Sequence, residues 1–427
     1  MTLTEKFLKE HKMRAEDINI RQIVELFTSE MRKGLEGNRS SLRMIPTYIE
    51  ADNKFLTGVP VVAIDAGGTN FRAARVKFNE QGKLEISKTI NTRMPGLDGE
   101  ISKDEFFQTI AGYVKALALE SERIGFCFSY PTEILPDKDG KLIHFCKEVQ
   151  APGVVGQLIG KNLLEALGMP EKQIVLLNDT VATLLAGKSA SLGHNYDSFI
   201  GYILGTGTNT CYIENNRNIQ KNKSLDSTKS QIINIESGNF GKAPHTDIDI
   251  LFDSTTTNPG SHTFEKMISG GYFGNLCLLS LKTAAKEGVF TASTASNILS
   301  LNELSSEDVN MFIAGSKSGR GPLSSCFKEK TDDENCLKIV NCLLNRAAIL
   351  VAANLAAVVL KTNKGKTPGR PILITVEGSI YYKLHNMRTQ IDKYFREYLT
   401  GERERFVEFM EVKQSSLIGA ALAALIN

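Results

Sequence analysis

Short apolar runs of strand length alternate with segments whose apolar residues recur every three or four positions. That alternation predicts an α/β protein. In the polar-faced N-terminal region, Ile20, Ile23, Val24, Phe27 and Met31 fall at helical spacing. Strands are expected from Pro60 to about Phe78, near Leu84–Thr89, at Arg123–Phe128 and at Ile174–Leu177. Lys103–Ser121 places Phe107, Ile110, Val114 and Leu117 on one stripe, and Val181–Ala190 reads as a further helix. The second half repeats the alternation, with strands at Phe199–Ile213, Gln231–Ile235 and Ile372–Val376. Asn215–Lys229 and Lys361–Arg370 are polar and read as loops, and Asp253–Gly260 as a turn-rich connector. Gln414–Ile426, rich in small residues, reads as a packed helix. Ala347–Leu360 is nearly all apolar but contains Asn354 and is short for a bilayer span, so a buried helix is expected.

Two of these strand pairs share an unusual turn. Val61–Val76 runs from an apolar strand through Asp65, Gly67-Gly68 and Thr69-Asn70 into a second strand. Phe199–Glu214 does the same through Gly205-Thr206-Gly207-Thr208-Asn209. Glycines let bare backbone N–H groups approach a phosphate, and Asp65 at a strand end could hold a metal-bound water beside it. The first turn is not a Walker A loop, because no Gly-Lys-Ser/Thr follows and it leads into a strand, not a helix. One such turn is as readily an ordinary hairpin. Two suggest a duplicated unit, each half giving one phosphate-facing hairpin to a cleft that opens and closes.

Length and composition narrow the class. The 427 residues suit two to three domains, and 42% hydrophobic with 23% charged residues fits a globular chain. A formal net charge of +2 implies neither a nucleic-acid nor a membrane partner. Seven scattered cysteines without a CxxC pair point to reduced thiols and a cytoplasmic setting, not to a disulfide framework or a zinc site. The charged start, MTLTEKFLKEHK, lacks the apolar segment of a signal peptide.

Several polar residues stand where α/β sheets bind ligands, beyond the carboxyl ends of strands. Asn178-Asp179 follows Ile174–Leu177, so Asp179 is placed to take a proton from a substrate hydroxyl; its plainer role is a helix N-cap. Glu236 ends a strand before a glycine loop, where capping is the default. Glu265 follows Asn258-Pro259-Gly260, and Lys147 sits between Cys146 and Glu148; alone, each reads as a solvated residue. Gly378-Ser379 follows Ile372–Val376 and opens a helix, a natural phosphate contact or simply a cap.

Together these segments resemble the eukaryotic-type hexokinase family. Asp65–Arg72 (DAGGTNFR) is similar to its first phosphate loop, and Ser129-Tyr130-Pro131 with Leu142–Lys147 to its sugar segment. Asn178-Asp179-Thr180 resembles its catalytic-base motif, and Gly205–Tyr212 its second phosphate loop. Ile235–Gly241 and Asn258–Lys266 resemble its two sugar-binding glutamate motifs, Val376–Leu384 its adenosine region, and Met31–Tyr48 its N-terminal segment. The likeness runs in order over nearly the whole chain and corresponds to one hexokinase unit.

The resemblance implies the two-lobed α/β fold of sugar kinases, actin and Hsp70 chaperones around an ATP cleft. The smaller lobe would be about 52–180 plus the C-terminal helix at 413–427, and the larger lobe 1–51 and 181–412. It implies transfer of the ATP γ-phosphoryl group to the 6-hydroxyl of glucose or a related hexose, the opening step of glycolysis. Asp179 would be the catalytic base, and Lys147 a second catalytic residue that offsets charge at the transferring phosphoryl group. Lys147, Asn178, Asn209, Glu236 and Glu265 would bind the sugar, with Ser129, Pro131 and Cys146 beside them. Asp65, Gly67, Gly68, Thr69, Asn70, Arg72, Gly205, Thr206, Gly207, Gly378 and Ser379 would serve ATP and Mg²⁺, Asp65 reaching the ion through water. The chain departs from the family at Cys146, where the family has a sugar-contacting threonine, at Ser237 in place of tryptophan, and at Leu417-Ile418 in place of Gly-Arg. A catalytically weak sugar sensor on the same fold would lack the base or a phosphate loop, and both are present. A sugar-kinase-type repressor would need a helix-turn-helix and a cysteine-rich zinc motif. An acetate-kinase-like or chaperone-like ATPase would not need two sugar glutamate motifs.

Overall fold

The computed structural model describes residues 1–50, 54–145, 149–315 and 321–426. Helix α1 (Leu3–Glu10) leads to α2 (Ile20–Glu36), whose N-cap Asn19 accepts from the Gln22 N–H and which stops at Gly37 in the left-handed region. Ile23, Val24, Phe27 and Met31 are buried, as their spacing predicts. The chain then passes through β1 (Ile45–Pro46) to β2 (Pro60–Ala66), β3 (Asn70–Phe78) and β4 (Leu84–Arg93). After α3 (Lys103–Ala118) come β5 (Arg123–Phe128), the small hairpin β6 (Thr132–Ile134) and β7 (Gly140–Leu142), α4 (Ile159–Leu167), β8 (Gln173–Leu177) and α5 (Asp179–Ala190).

The second half opens with β9 (Ser198–Leu204), β10 (Thr208–Asn215) and β11 (Ser230–Asn234). A helical stretch follows: α6 (Asp247–Ser254), α7 (Thr263–Ile268), α8 (Phe273–Lys286), α9 (Ala292–Ser300), α10 (Ser306–Ile313) and α11 (Lys330–Thr362). The chain closes with β12 (Ile372–Glu377), α12 (Ser379–Lys383), α13 (Met387–Tyr398), β13 (Val407–Met410) and α14 (Ser415–Leu425). Helix α6 takes in Asp253 and Ser254, so the expected connector is shorter than its turn-forming composition suggested. Strand β4 runs to Arg93, four residues past the expected Thr89, because it pairs along the whole of β3.

The two large sheets repeat one design. One has the order β4-β3-β2-β5-β8, and the other β11-β10-β9-β12-β13 with β1 added at its edge. In each, three strands form an antiparallel meander, a fourth pairs in parallel with the first of them, and a fifth pairs in parallel with the fourth. The expected duplication is therefore present as a repeated strand order. In each sheet a glycine turn closes the hairpin of the first two meander strands.

Helices α5 and α14 lie where the sheets meet. They share one buried cluster with Val61, Ala63 and Val76 of one sheet and Cys211 and Ile232 of the other. Buried all round, they carry apolar and small residues on every face instead of one stripe. Contact is close enough that a Cβ on Gly125 of β5 would sit 1.8 Å from the Ala420 carbonyl oxygen of α14. Helix α11 is long and apolar enough to cross a membrane, but 89% of its most apolar window is buried inside the protein, so it is a core helix. The six described cysteines are unpaired.

Candidate active site

Near the end of β2, in the first hairpin, Asp65 stands directly opposite Arg72 on β3. Arg72 Nη2 donates to Asp65 Oδ2 at 2.6 Å. The turn is tight, with the Gly67 N–H donating to the Asn70 carbonyl at 3.0 Å, and the Tyr130 hydroxyl holds the Gly67 carbonyl at 2.8 Å. Thr69 and Asn70 are exposed at the tip. Ser129 donates its N–H to the Ala66 carbonyl, and Pro131 accepts from the Ile143 N–H, so the Ser129–Pro131 segment lines the same end of the sheet.

The second hairpin is held from three sides. The Gly270 N–H donates to the Gly205 carbonyl and the Gly271 N–H to the Thr206 carbonyl. A Cβ on Gly378, which has φ +125°, would lie 2.2 Å from the Leu204 carbonyl oxygen, so only glycine lets β12 end against this turn. Ser379 follows, exposed, as the first residue of α12. Glu265, at the start of α7, accepts from the Thr208 N–H at 2.8 Å and packs against Gly207. Its carboxylate is thus tied to the loop, not solvated as the lone residue would suggest.

Between the hairpins runs a chain of amides. Asn209 Nδ2 donates to Asn178 Oδ1 at 3.3 Å and to Asn234 Oδ1 at 2.8 Å, and Asn234 Nδ2 donates to Glu236 Oε1 at 2.8 Å. Asn209 Oδ1 in turn accepts from the Ser237 N–H. Glu236 adopts left-handed backbone, φ 59° and ψ 50°, strain of a kind that collects at functional sites. Asn178, Asn234 and Glu236 line a small pocket with Thr47, Tyr130 and Thr132. Asn178 is the N-cap of α5, accepting from the Thr180 N–H at 2.9 Å, so the capping role weighed for Asp179 falls to its neighbour. Asp179 is the first helical residue, with Oδ1 taking the Thr180 N–H at 2.8 Å.

Electrostatically the cleft is crowded with carboxylates. Burial pushes Asp65 up to about 6; the charges of Asp179 and Glu377 add to this, and Arg72 opposes it. Burial likewise raises Glu236, with Asp179 contributing, against the Asn234 hydrogen bond and the charge of Arg43. Burial and Asp179 raise Glu377 as well, against hydrogen bonds from Ser415 and Thr183. Among the described residues no three His, Cys, Asp or Glu side chains converge closely enough to hold a metal ion alone.

Cys146 and Lys147, expected at the sugar, lie outside the described residues. Sequence reasoning missed Asn234, Gly270, Gly271 and Glu377. A buried asparagine closing an apolar strand, the Ser269-Gly270-Gly271 run and an acid before Gly378 were the available signals.

Two lobes built on one strand plan, glycine hairpins at the cleft and an amide–carboxylate pocket between them define the class: a sugar-kinase-type phosphotransferase of the actin-like fold. Hexokinase family patterns match residues 4–189 and 199–426. Glucokinase-1 of Kluyveromyces lactis is 31% identical, covering 95% of this chain and 94% of its own length. Hexokinase-3 of Oryza sativa is 29% identical over 96% of this chain and 87% of its own. Against human hexokinase-2 the identity is 29%, and the chain spans 47% of that protein. Among solved structures, the glucose complex of Schistosoma mansoni hexokinase superposes with a TM-score of 0.78 at 23% identity, covering 99% of this chain and 98% of that one. A hexokinase of the ROK group from Thermus thermophilus reaches 0.53 at 17% identity, covering 86% and 98%. The chain belongs to the hexokinase family.

Proposed function

We propose that this protein transfers the γ-phosphoryl group of ATP to the 6-hydroxyl of glucose or a closely related hexose. The observation that carries the reading is the continuous Asn178–Asn209–Asn234–Glu236 hydrogen-bonded chain, set beside Asp179 and between two glycine hairpins. Amides and carboxylates can donate to and accept from several sugar hydroxyls at once. A site built this way rejects an analogue that leaves its buried polar groups unpaired.

In this reading Asp179 accepts the proton of the attacking hydroxyl, with Oδ2 as acceptor because Oδ1 holds the Thr180 N–H. Its place on the first turn of α5 fixes it relative to the amide chain, since Asn178 caps the same helix. Glu236 and Glu265 orient the sugar, and Lys147 and Cys146 are proposed as further sugar-binding residues. The hairpins Gly67–Asn70 and Gly205–Gly207, with Gly378-Ser379, would receive the phosphates and nucleoside.

The donor set suits Mg²⁺ held jointly with the nucleotide. Asp65 feels the negative charges of Asp179 and Glu377, against the positive charge of Arg72, and ATP alone would add like charge. When bound, the ion offsets charge on the transferring phosphoryl group, with Asp65 the residue placed to hold it through water.

A coupled assay with ATP and a panel of glucose, fructose, mannose and N-acetylglucosamine tests the reading. Glucose or a near relative should be phosphorylated in a magnesium-dependent way. A folded protein that phosphorylates none of them would refute it.

A further inference from the structure

Glu377 is the last residue of β12, one position before Gly378. Its carboxylate reaches two helices. Oε2 accepts from the Ser415 hydroxyl, the first residue of α14, and lies 3.4 Å from Thr183 Oγ1 on α5. The single Thr183 hydroxyl proton is shared in a three-centre arrangement between Glu377 Oε2 and the carbonyl oxygen of Asp179, 3.0 Å from Oγ1, and Oγ1 also stands 3.4 Å from Ser415 Oγ. One carboxylate and two hydroxyls therefore join the strand that leads into the nucleotide side of the cleft, the first turn of the helix bearing Asp179, and the helix that packs on the other sheet. The backbone supports the same junction: a Cβ on Gly187 of α5 would lie 1.7 Å from Thr375 Oγ1 of β12. With no room for α5 to shift toward β12, the hydroxyls of Thr183 and Ser415 fix its rotation about that contact.

We propose that Glu377 is a positioning residue for phosphoryl transfer, acting through Thr183 and Ser415 to hold the first turn of α5, and so Asp179, at a set angle to the nucleotide end of β12. The proposal rests on the hexose-kinase reading above. It concerns acceptor geometry and not charge: the carboxylate is needed as a fixed hydrogen-bond acceptor between two hydroxyls. Small displacements of a reacting group can lower a rate by about 10²-fold, whereas Asn209, Asn234 and Glu236, which lie outside α5, keep most of the hold on the sugar.

The test compares wild type with Glu377→Ala, Glu377→Gln and Thr183→Val by steady-state kinetics and by amide hydrogen exchange of residues 179–183 in the ligand-free protein. Glu377→Ala should lower kcat by about 10- to 10²-fold with the glucose KM within about twofold. It should also speed exchange in the first turn of α5 by about tenfold or more. Glu377→Gln keeps an acceptor oxygen and should recover most of both losses. Thr183→Val should resemble Glu377→Ala, and it carries the test if Glu377→Ala fails to fold. The proposal is overturned if kcat and exchange in both truncations stay within twofold of wild type, or if Glu377→Gln is as impaired as Glu377→Ala. Wild type that phosphorylates no hexose would overturn the hexose-kinase reading alone, because the exchange measurement reads the junction without turnover.

Discussion

Asp65→Asn should make the ligand-free protein more stable and the enzyme worse. Asp65 is 4% exposed at the end of β2. Burial, reinforced by Asp179 and Glu377, lifts its carboxyl from 3.8 to about 6 even with the Arg72 guanidinium beside it. A folded-state value above the unfolded one means that ionisation penalises the native state. The penalty is absent below pH 3.8, grows as the pH rises toward 6, and is constant above that. The rise corresponds to about 3 kcal/mol at pH 8 and about half of that at pH 5. Asparagine is nearly isosteric and uncharged, so it should return most of that energy. Urea denaturation of wild type and variant at both pH values, without nucleotide or magnesium, measures it. The expected result is a gain of about 2–3 kcal/mol at pH 8 that shrinks by roughly half at pH 5. The same variant should lose about 10- to 10²-fold in kcat/KM for MgATP, the effect expected when a group that orients a metal-bound water is removed. A variant no more stable than wild type at pH 8, or a gain equal at the two pH values, would refute the idea that ionised, buried Asp65 destabilises the ligand-free protein.

Other perturbations probe separate parts of the fold. Asp179→Ala should lower kcat by about 10²–10⁴ with glucose binding largely kept, read by steady-state kinetics and calorimetry; near-normal turnover would remove Asp179 from the base role. His11 joins α1 to α6 and α8, with Nδ1 2.7 Å from Asp247 and Nε2 3.0 Å from Glu287. Burial alone would lower its titration, but the two carboxylates outweigh it and raise it above 6.5. That contribution is fully present below 6.5 and fades as the pH rises through the raised value, so the melting temperature of His11→Gln should approach that of wild type at alkaline pH and fall below it at pH 6. A difference independent of pH would count against the clamp. Gly125→Ala would press a methyl group into the Ala420 carbonyl, 1.8 Å from its ideal Cβ position. Chemical denaturation should show a loss of at least about 2–3 kcal/mol, and an unchanged midpoint would mean that α14 can retreat from β5.

Much of this architecture is written in local pattern. The apolar periodicity of Ile20–Met31 marks a helix because one face of α2 packs on the core while the other stays polar. The two glycine hairpins are legible because a tight turn that can face a phosphate needs small residues at set places, and Asp65, Asn178-Asp179 and Glu236 are legible because ligand sites in α/β sheets lie beyond the carboxyl ends of strands. The family likeness added roles that no single segment could carry.

What the chain alone left open depends on residues distant in sequence. Whether Asp179 caps its helix is decided by whether Asn178 can, and the backbone of α5 gives the cap to Asn178. Glu265 looks like a solvated helix residue until the fold brings Thr208 to within 2.8 Å of it. Glu377 is one acid in an adenosine-like segment until α5 and α14 bring Thr183 and Ser415 to it from 194 and 38 residues away. Local pattern determines which residues can form a strand, a helix or a turn, because those choices rest on steric and solvent preferences a few positions wide. Pairing, burial and shared charge depend on distances through space, and only the packed lobes decide those.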